Sequence, residues 1–576
     1  MSSKTKLFYG AAVMVAVAGI AGVASAQTTT TTKHVAKKQH HVVPAESATS
    51  AQVKALTEEV TALKAELDQE VASRQQAQAQ TQASQAQAQA QADQAQAQVA
   101  ATQSHVDDEI KRIPGEVKED VAAVAPKTDK LYYKGVSITF GGFAEAAGIY
   151  RSHDETADVA SSFTKMPFPQ TAQAHTGETD FTARQSRYSA LIQGNLSEDT
   201  VASFYGEFDF LGAAQTANSN QSDSYQPRIR NLYGTIDWNK SGWHLLVGQN
   251  WSLVTMNSKG ITPRNEVTPP QIDAQYIPGF AWARQPQIRL TKNFGQKFWI
   301  AASLENPQTT IGGSTSAIAG ITANTSQAPT GQFYSGTNYS LNTIPDVVTK
   351  VAYEDTFGNG HTFHAEALGL LRQFEDRVDV TGTNALALPV GNSVERTTGG
   401  GVGGSVALSV VPKTLDIQAS ILGGDGIGRY GSAGLSDTTV RPNGKLGALP
   451  ETMSLAGGTF HATPMLDLYL FGGQEKDHSK VYNVGNTIYG YGAGVTGISN
   501  AGCDIENSAL SCGGFNKSVD QVTAGLWQKI YNGPAGRLQF GIQYSHTTRE
   551  LFSDTAGNAP KASEDMVFTS FRYYPF

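Results

Sequence analysis

The sequence predicts an all-β transmembrane barrel of about 16 antiparallel strands, preceded by an N-terminal α-helical coiled coil. Three observations lead to this prediction. From residue 131 onwards, segments of about ten residues alternate apolar and polar side chains, as transmembrane strands do. Short and long connections between these segments also alternate along the chain. Residues 46–113 instead carry a helical pattern that no Gly or Pro interrupts.

An N-terminal signal peptide is predicted over residues 1–26. Two lysines precede the apolar stretch LFYGAAVMVAVAGIAGV, and a small-residue A-x-A cleavage site ends at Ala26. The alternative is an N-terminal anchor helix, but the cleavage site follows the apolar stretch directly, which favours removal of the segment. We therefore expect an exported protein.

The composition argues against one class of partner and suits a membrane barrel. A formal net charge of -8 disfavours nucleic-acid binding, which normally needs a basic surface. Glycine, tyrosine and phenylalanine are abundant, whereas only two cysteines occur. Outer-membrane barrels have such a composition, although a large secreted β-solenoid or β-sandwich would share much of it.

Two segments are expected between the signal peptide and the barrel. Residues 27–45 are polar and slightly basic without periodicity, which is typical of a flexible linker. Residues 46–125 are predicted to form a periplasmic coiled coil, because apolar residues recur at intervals of three and four. This seam comprises Val53, Leu56, Val60, Leu63 and Leu67. Disorder is the alternative for the following Gln/Ala tract, since low-complexity sequence does not require a fold.

The barrel is predicted over residues 131–576. In the segment FYGEFDF, Glu207 and Asp209 fall on one face and Phe204 and Phe208 on the other. A soluble sandwich would show the same periodicity, so the connections decide between the two folds. Short turns alternate with long polar loops, as in barrels with short periplasmic turns and long extracellular loops. The long loops are 151–179, 212–226, 251–283, 306–344, 375–396, 425–451 and 476–516.

An even number of strands returns the C-terminus to the side on which the barrel begins. The sixteen predicted strands are 136–150, 180–195, 200–211, 227–238, 241–250, 284–294, 297–305, 346–355, 361–374, 397–411, 414–424, 453–463, 466–475, 517–531, 534–548 and 564–576. A barrel of this size encloses a lumen wide enough for water and solutes. The side chains that line and narrow this lumen therefore become the candidate functional site.

Arginines are concentrated in the first half of the predicted barrel, despite the negative net charge. A charged side chain that faces lipid near the membrane centre costs ~2–4 kcal/mol, so mid-strand arginines should face the lumen, where they suit carboxylates. The alternative is that they pair with acidic residues of neighbouring strands and only solvate the wall. The candidate pore-lining residues are Arg184, Arg187, Arg228, Arg230, Tyr233, Arg264, Arg284 and Arg289, with Glu207 and Asp209.

Side-chain parity adds a requirement to this assignment. Arg184 and Arg187 lie an odd number of positions apart, as do Arg228 and Tyr233. Because successive side chains of a strand point to opposite faces, each pair can share the lumen only if a β-bulge intervenes.

The proline-rich loop 251–283 is predicted to fold inward and constrict the lumen. Proline restricts the unfolded chain, which favours a loop that must hold one shape. Its candidate polar groups are Arg264, Glu266 and Asp273.

Cys503 and Cys512 are predicted to form a disulfide that closes a surface loop, because the compartment is oxidising. No third Cys or nearby His completes a metal site. The sequence also lacks a G-x-S-x-G elbow and an H-E-x-x-H pair. We therefore expect no enzyme, no catalytic residue, no metal and no cofactor.

The chain ends on FTSFRYYPF, which we interpret as the closing strand of the barrel. Strict alternation back from Phe576 would turn Arg572 towards lipid. Pro575 lacks an N–H group and interrupts the ladder, so we expect Phe571 and Tyr573 to face outward and Arg572 to face the lumen. Phe576 then lies just past the regular strand.

Several features, taken in order, resemble the DcaP-like trimeric porins of Gram-negative outer membranes. They are the signal peptide, the coiled coil, the motifs ARQSR, GQNWSL and RQPQIRLT, a GYG at 490–492 before the cysteine loop, and the terminal Phe. The resemblance covers nearly the whole mature chain. It implies a homotrimer, a periplasmic coiled coil and uptake of small anions such as dicarboxylates.

The expected function is thus an outer-membrane diffusion channel (porin) for small hydrophilic, anionic solutes, with an arginine-lined lumen. Its expected partners are outer-membrane lipid, small anionic solutes and further copies of the chain, and peptidoglycan is a candidate contact of the periplasmic segment. The alternative is a structural tether between outer membrane and cell wall, in which the periplasmic helix is the main functional part. A trimeric adhesin is disfavoured, because each chain has enough residues for a complete barrel.

Overall fold

The computed structural model describes residues 130–212, 225–313, 317–326, 339–358 and 360–576, together with Gln89, Asp93 and Ala97. The predicted signal peptide, the linker and the seam from Val53 to Leu67 lie outside the described residues. Within the predicted helix, Gln89, Asp93 and Ala97 are α-helical, and Gln89 Nε2 donates a hydrogen bond to Asp93 Oδ1 (3.1 Å). In the described part of the chain, no helix is long and apolar enough to cross a membrane.

In the described residues, sixteen long antiparallel strands form one closed barrel, as the sequence predicts. The barrel closes because β16 pairs with β1, with Tyr573 opposite Ala144. The strands are β1 (Val136–Arg151), β2 (Arg187–Asn195), β3 (Thr200–Asp209), β4 (Arg228–Trp238), β5 (Trp243–Trp251), β6 (Arg284–Phe294), β7 (Phe298–Glu305), β8 (Asp346–Phe357), β9 (His361–Val380), β10 (Gly391–Val411), β11 (Leu415–Asp425), β12 (Pro450–Thr463), β13 (Leu466–Asp477), β14 (Asn516–Gly533), β15 (Gly536–Leu551) and β16 (Lys561–Tyr574).

The two ends of the barrel differ in their connections. At one end, turns of two to four residues join β2 to β3 and then every second pair of strands up to β14 and β15. We call this the short-turn end, and the opposite end the long-loop end. β1 starts and β16 finishes at the short-turn end, so the predicted alternation of short and long connections is confirmed.

The strand faces follow the alternation of the sequence. In β3, Phe204 and Phe208 are exposed on the outside of the barrel, whereas Ser203 and Asp209 are buried on the inside. The outer surface carries large exposed apolar side chains on most strands. Such an apolar exterior around a polar interior is the arrangement of transmembrane barrels.

Three predicted elements differ from the structure. The strand 180–195 is split into Glu178–Thr182 and β2, and both parts pair with β1. The segment 375–396 is not a long loop, because β9 and β10 continue through it to Val380 and from Gly391. The strand Ile321–Asn324 pairs with the end of β9 and covers its apolar side chains, which stabilises this extension. The loop 425–451 is largely buried.

Shorter elements occupy the connections. The strand Leu131–Tyr133 forms a hairpin with the start of β1. Two small hairpins and three 3₁₀ helices lie at the long-loop end: Thr438–Val440 with Leu446–Ala448, Lys480–Val484 with Thr487–Tyr491, and Phe163–Lys165, Ala172–His175 and Gly428–Tyr430. Cys503 and Cys512 are joined by a disulfide, and Cys503 is buried against Phe168 and Leu551.

Candidate channel lumen

The connection between β5 and β6 folds into the barrel, as predicted, and we call residues 252–283 the constriction loop. Carboxylates that project inward from β7, β8, β9 and β13 accept hydrogen bonds from its backbone N–H groups. The pairs are Leu253 with Glu305 (2.8 Å), Asn257 with Glu366 (3.1 Å), Gly260 with Glu354 (2.5 Å) and Gly279 with Glu475 (2.8 Å). Since Ile272 N also donates to Gln543 Oε1 of β15 (2.6 Å), the loop crosses the lumen.

The constriction loop lies close to the wall at Gly279. A Cβ atom at this position would lie 2.0 Å from the backbone oxygen of Ser454, and its φ of +87° also favours glycine. A side chain at position 279 would therefore push the loop away from β12 and β13.

Two loops from the long-loop end pack on the constriction loop. In the connection 152–177, Val159 O accepts a hydrogen bond from Ala274 N (2.8 Å). In the connection 426–449, Ala433 N donates a hydrogen bond to Glu475 Oε1 of β13 (2.9 Å). The same carboxylate oxygen also accepts the hydrogen bond from Gly279 N. One wall carboxylate thus holds two inward loops.

The main apolar core of the barrel lies inside its lumen, where these loops meet the wall. It includes Ile149, Val159, Phe163, Trp251, Ile272, Tyr276, Ile277, Phe280, Leu455, Tyr469, Phe471 and Trp527. On the short-turn side of the loop, a cavity of about 390 Å³ is lined by Pro270, His461 and Trp527 among others. Among the predicted arginines, Arg187 and Arg284 of the wall and Arg264 of the constriction loop keep partial solvent exposure.

Asp273, a predicted polar group of the constriction loop, is fully buried. Its Oδ1 accepts hydrogen bonds from the backbone N–H groups of Gln275 (2.8 Å) and Ser161 (3.2 Å), while its Oδ2 is buried without a partner. Burial raises the pKa of this carboxyl to about 6, and the hydrogen bonds offset only part of that effect. Glu266, by contrast, accepts a hydrogen bond from Asn250 Nδ2 (3.0 Å).

The variant Asp273→Asn is expected to stabilise the packed loop at neutral pH. An acid whose folded pKa lies above its unfolded value favours the folded state in its protonated form, so loop stability falls as pH rises from about 4 to about 6. Asparagine resembles the protonated acid at every pH. We expect hydrogen-exchange protection of Ala274 and Tyr276 to be up to ~100-fold higher in the variant at pH 7 and equal at pH 4. Equal protection at pH 7 would contradict the assignment.

Four of the predicted residues form a paired group on β3 and β4. Arg228 donates two hydrogen bonds to Asp209, from Nε to Oδ1 (3.0 Å) and from Nη2 to Oδ2 (2.7 Å). Arg230, which is buried, bonds Glu207 (2.7 Å) and Asp209 (2.9 Å). These two arginines are neutralised by the carboxylates beside them.

A β-bulge explains how Arg228 and Tyr233 both face the lumen. In the pairing of β3 with β4, Glu207 lies opposite Asn231 and Phe208 lies opposite Ile229, so Arg230 is the extra residue. The inserted residue shifts the side-chain parity by one position. Likewise, Arg184 lies in the irregular segment 183–186, which ends just before Arg187.

Three predicted arginines have no carboxylate partner. In the described residues, none lies within 4.0 Å of the guanidinium groups of Arg187, Arg264 and Arg284. Arg187 Nε and Arg284 Nη1 are buried without any hydrogen-bond partner, and Arg264 Nη1 donates to the hydroxyl of Tyr233 (3.2 Å). We call these three residues the unpaired arginines.

Aromatic rings support the unpaired arginines. The guanidinium carbon lies over the ring of Phe143 for Arg187 (5.2 Å), of Tyr205 for Arg264 (5.7 Å), and of Trp251 (4.8 Å) and Trp282 (4.5 Å) for Arg284. Such contacts fix the planar groups without neutralising them.

The Tyr276 phenol of the constriction loop reports the local potential. Burial raises its pKa, but nearby Arg230, Arg187 and Arg284 outweigh burial and lower it. The guanidinium groups on β2, β4 and β6 therefore act together on this phenol.

The two other predicted arginines are engaged in structural contacts. Arg184 pairs with Asp158 (2.9 Å) at the long-loop end. Arg289 is buried and donates to Trp251 O (2.6 Å) and to Gln287 Oε1 (3.0 Å). Arg184 thus holds the connection 152–177, and Arg289 holds the backbone at the end of β5.

Sequence reasoning missed the inward charges of the second half of the barrel. Arg372 of β9 is fully buried and pairs with Asp346 (3.1 Å) and Asp437 (2.5 Å), which ties the connection 426–449 to the wall. Glu475 was missed as well, although it anchors two loops. The alternation within LRQFED and FGGQEKD carried the available signal, since Arg372 and Asp376, and Glu475 and Asp477, share the inward parity there.

The C-terminal strand has the predicted side-chain directions. Phe571 and Tyr573 are exposed on the outside, whereas Arg572 is buried and pairs with Glu145 of β1 (2.9 Å). β16 ends at Tyr574, so Phe576 lies past the regular strand and is exposed.

No protein-family model and no curated protein matches the chain. Among solved structures, the outer membrane channel DcaP of Acinetobacter baumannii has 16% sequence identity over 77% of this chain and 99% of that chain, with a TM-score of 0.51. OmpT of Vibrio cholerae has 10% identity over 77% and 99%, with a TM-score of 0.40. The anion-selective porin from Comamonas acidovorans has 11% identity over 76% and 99%, with a TM-score of 0.39.

The DcaP match extends over the barrel and nearly the whole of the solved channel. The resemblance to DcaP-like porins that the sequence indicates is thus confirmed for the fold, and this chain has the barrel fold of the DcaP outer membrane channel.

Proposed function

We propose that the protein is an outer-membrane diffusion channel for small hydrophilic anions, dicarboxylates among them. The observation that carries this proposal is the group of unpaired arginines, Arg187, Arg264 and Arg284, beside an inward loop that narrows the lumen. The protein with which the chain shares its fold is described as an outer membrane channel.

The charge distribution of the lumen supports anion passage. Carboxylates of β7, β8, β9 and β13 are occupied by backbone N–H groups of the constriction loop. On the other wall, Glu207 and Asp209 are occupied by Arg228 and Arg230. The unpaired arginines then provide cationic groups that have no ion-pair partner among the described residues, and a guanidinium presents two parallel donors to a carboxylate. An anion exchanges some of its hydration for these donors as it passes.

Each predicted site residue has a distinct role in this proposal. Arg187, Arg264 and Arg284 contact the solute, and Tyr233 orients Arg264 through its hydroxyl. Glu207 and Asp209 hold Arg228 and Arg230 and so shape the wall. Several cationic donors at one narrowing favour a solute with two carboxylates over a solute with one, because each carboxylate finds its own partner.

The membrane arrangement follows from the ends of the barrel. We place the short-turn end in the periplasm and the long-loop end outside the cell, as in other outer-membrane barrels. The predicted coiled coil of residues 46–125 would then lie in the periplasm, assemble the chain as a homotrimer and come within reach of peptidoglycan. A variant without residues 46–125 that still forms trimers would exclude the coiled coil as the device of assembly.

A liposome-swelling assay tests the proposed function. The purified protein is reconstituted and exposed to isotonic succinate, to an uncharged solute of similar size, or to a diamine of similar size. We expect the fastest swelling with the dicarboxylate and the slowest with the diamine. Equal rates for all three solutes would refute the proposed selectivity, and no swelling would refute the channel and favour the tether.

A further inference from the structure

The barrel wall has a gap at the seam between its first and last strands. β16 pairs with β1 only from Ala144 to Arg151. Nearer the short-turn end, the strand Leu131–Tyr133 pairs with Val136–Ile138. In the described part of the chain, no strand therefore borders residues 139–143 on the side of β16. The last two residues of the chain, Pro575 and Phe576, lie next to this gap without pairing.

A cavity of about 650 Å³ lies at the gap and is lined by residues from both faces of the wall. Arg537 and Tyr574 line it from the lumen side, since they share the inward parity of Gln539 and Arg572. Ile138, Phe140 and Phe576 line it from the outer side, where Phe140 and Phe576 are exposed and their rings lie 6.0 Å apart. The lumen side of the cavity thus carries a cation, and its outer side is apolar.

Arg537 supplies the charge of this seam cavity. Its guanidinium carbon lies 4.1 Å from the ring centroid of Tyr574, and its Nε is buried without a hydrogen-bond partner. No carboxylate of the described residues lies within 4.0 Å of it. Lys130 also lines the cavity. Among the described residues, the Arg537 Nε–H group therefore has no acceptor.

We propose that the seam cavity binds the phosphate group of an anionic phospholipid, with its acyl chains along the outer surface formed by Ile138, Phe140 and Phe576. A guanidinium binds phosphate with two parallel hydrogen bonds. The contact with the ring of Tyr574 orients the guanidinium of Arg537. The exposed Tyr132 and Tyr133 beside the seam form the aromatic edge expected at the level of lipid headgroups.

A phospholipid explains the site better than a free anion does. A free phosphate ion would use the cation but leave the apolar outer part of the cavity unfilled. The inference rests on the proposed function in one respect, namely that the barrel lies in a membrane with its short-turn end at a phospholipid leaflet.

Native mass spectrometry of the full-length protein in detergent tests this inference. Phosphatidylglycerol is titrated into wild-type protein, into Arg537→Gln and Arg537→Lys, and into the control Arg377→Gln, whose exposed guanidinium pairs with Asp379 on the extension of β9. We expect apparent affinity to fall about tenfold in Arg537→Gln, less in Arg537→Lys, and not at all in the control. Unchanged binding in Arg537→Gln would overturn the proposal.

Two further arms separate the sources of the ligand and the dependence on the channel. Inorganic phosphate at millimolar concentration should fail to displace the lipid, whereas full displacement would refute a lipid site. Bilayer conductance of the same proteins serves as a folding check. If the protein conducts but lipid binding does not depend on Arg537, only the lipid-site inference is refuted. If lipid binding depends on Arg537 but the protein does not conduct, the lipid site is supported and the proposed channel is refuted.

Discussion

The double variant Arg187→Gln with Arg284→Gln is expected to lower the ratio of anion to cation permeability about tenfold. These guanidinium groups have no carboxylate partner within 4.0 Å among the described residues. Their replacement by glutamine therefore removes positive charge without leaving a carboxylate that has lost its ion-pair partner. In water, a charge ~6 Å from a passing ion contributes ~0.7 kcal/mol, and two such charges contribute ~1.4 kcal/mol, which is about tenfold in an equilibrium constant. The reversal potential in a planar bilayer under a KCl gradient measures the ratio.

Arg377→Gln is the matched control, because this arginine is exposed at the long-loop end and pairs with Asp379. Its reversal potential should equal that of the wild type. An unchanged reversal potential in the double variant, with single-channel conductance retained, would show that the unpaired arginines do not set selectivity.

Excision of the constriction loop is expected to raise single-channel conductance several-fold. Trp251 and Arg284 lie opposite each other in the pairing of β5 with β6, so a short Asn-Gly turn can replace residues 252–283 without disturbing the strands. The loop crosses the lumen and contributes much of its apolar core. Its removal therefore opens the narrowest part of the lumen.

Excision of the disulfide-closed loop 499–513 is the matched control, since that loop lies at the long-loop end and packs on β15 and β16. We expect its conductance to stay at the wild-type value. If loss of the constriction loop left conductance unchanged in a folded barrel, the narrowing of the lumen would have to lie elsewhere.

Most of the barrel could be predicted because its signals are local. The alternation of FYGEFDF and the short turns specify a strand and its end without knowledge of its neighbours. The extension of β9 beyond Phe374 could not be predicted in this way. It depends on pairing with Ile321–Asn324, about 50 residues earlier in the chain, which covers Val378 and Val380.

The sequence was sufficient to predict which residues belong to the site, but not which contacts each of them makes. Arg289 and Arg284 occur in one motif, RQPQIRLT, yet Arg289 bonds the backbone of Trp251 while Arg284 stays unpaired. Arg184 and Arg187 differ in the same way, because Asp158 approaches Arg184 from a remote loop. Which guanidinium is left uncompensated is decided by tertiary contacts.

The reversal potential of the wild-type protein in a planar bilayer, under a KCl gradient at pH 7, tests the central claim most directly. We predict stepwise conductance with a reversal potential of the sign that marks preferential chloride passage, since Arg187, Arg264 and Arg284 are inward guanidinium groups without an ion-pair partner among the described residues. Stepwise conductance with a cation-selective reversal potential would contradict the role of the arginines, and the absence of steps would contradict the channel itself.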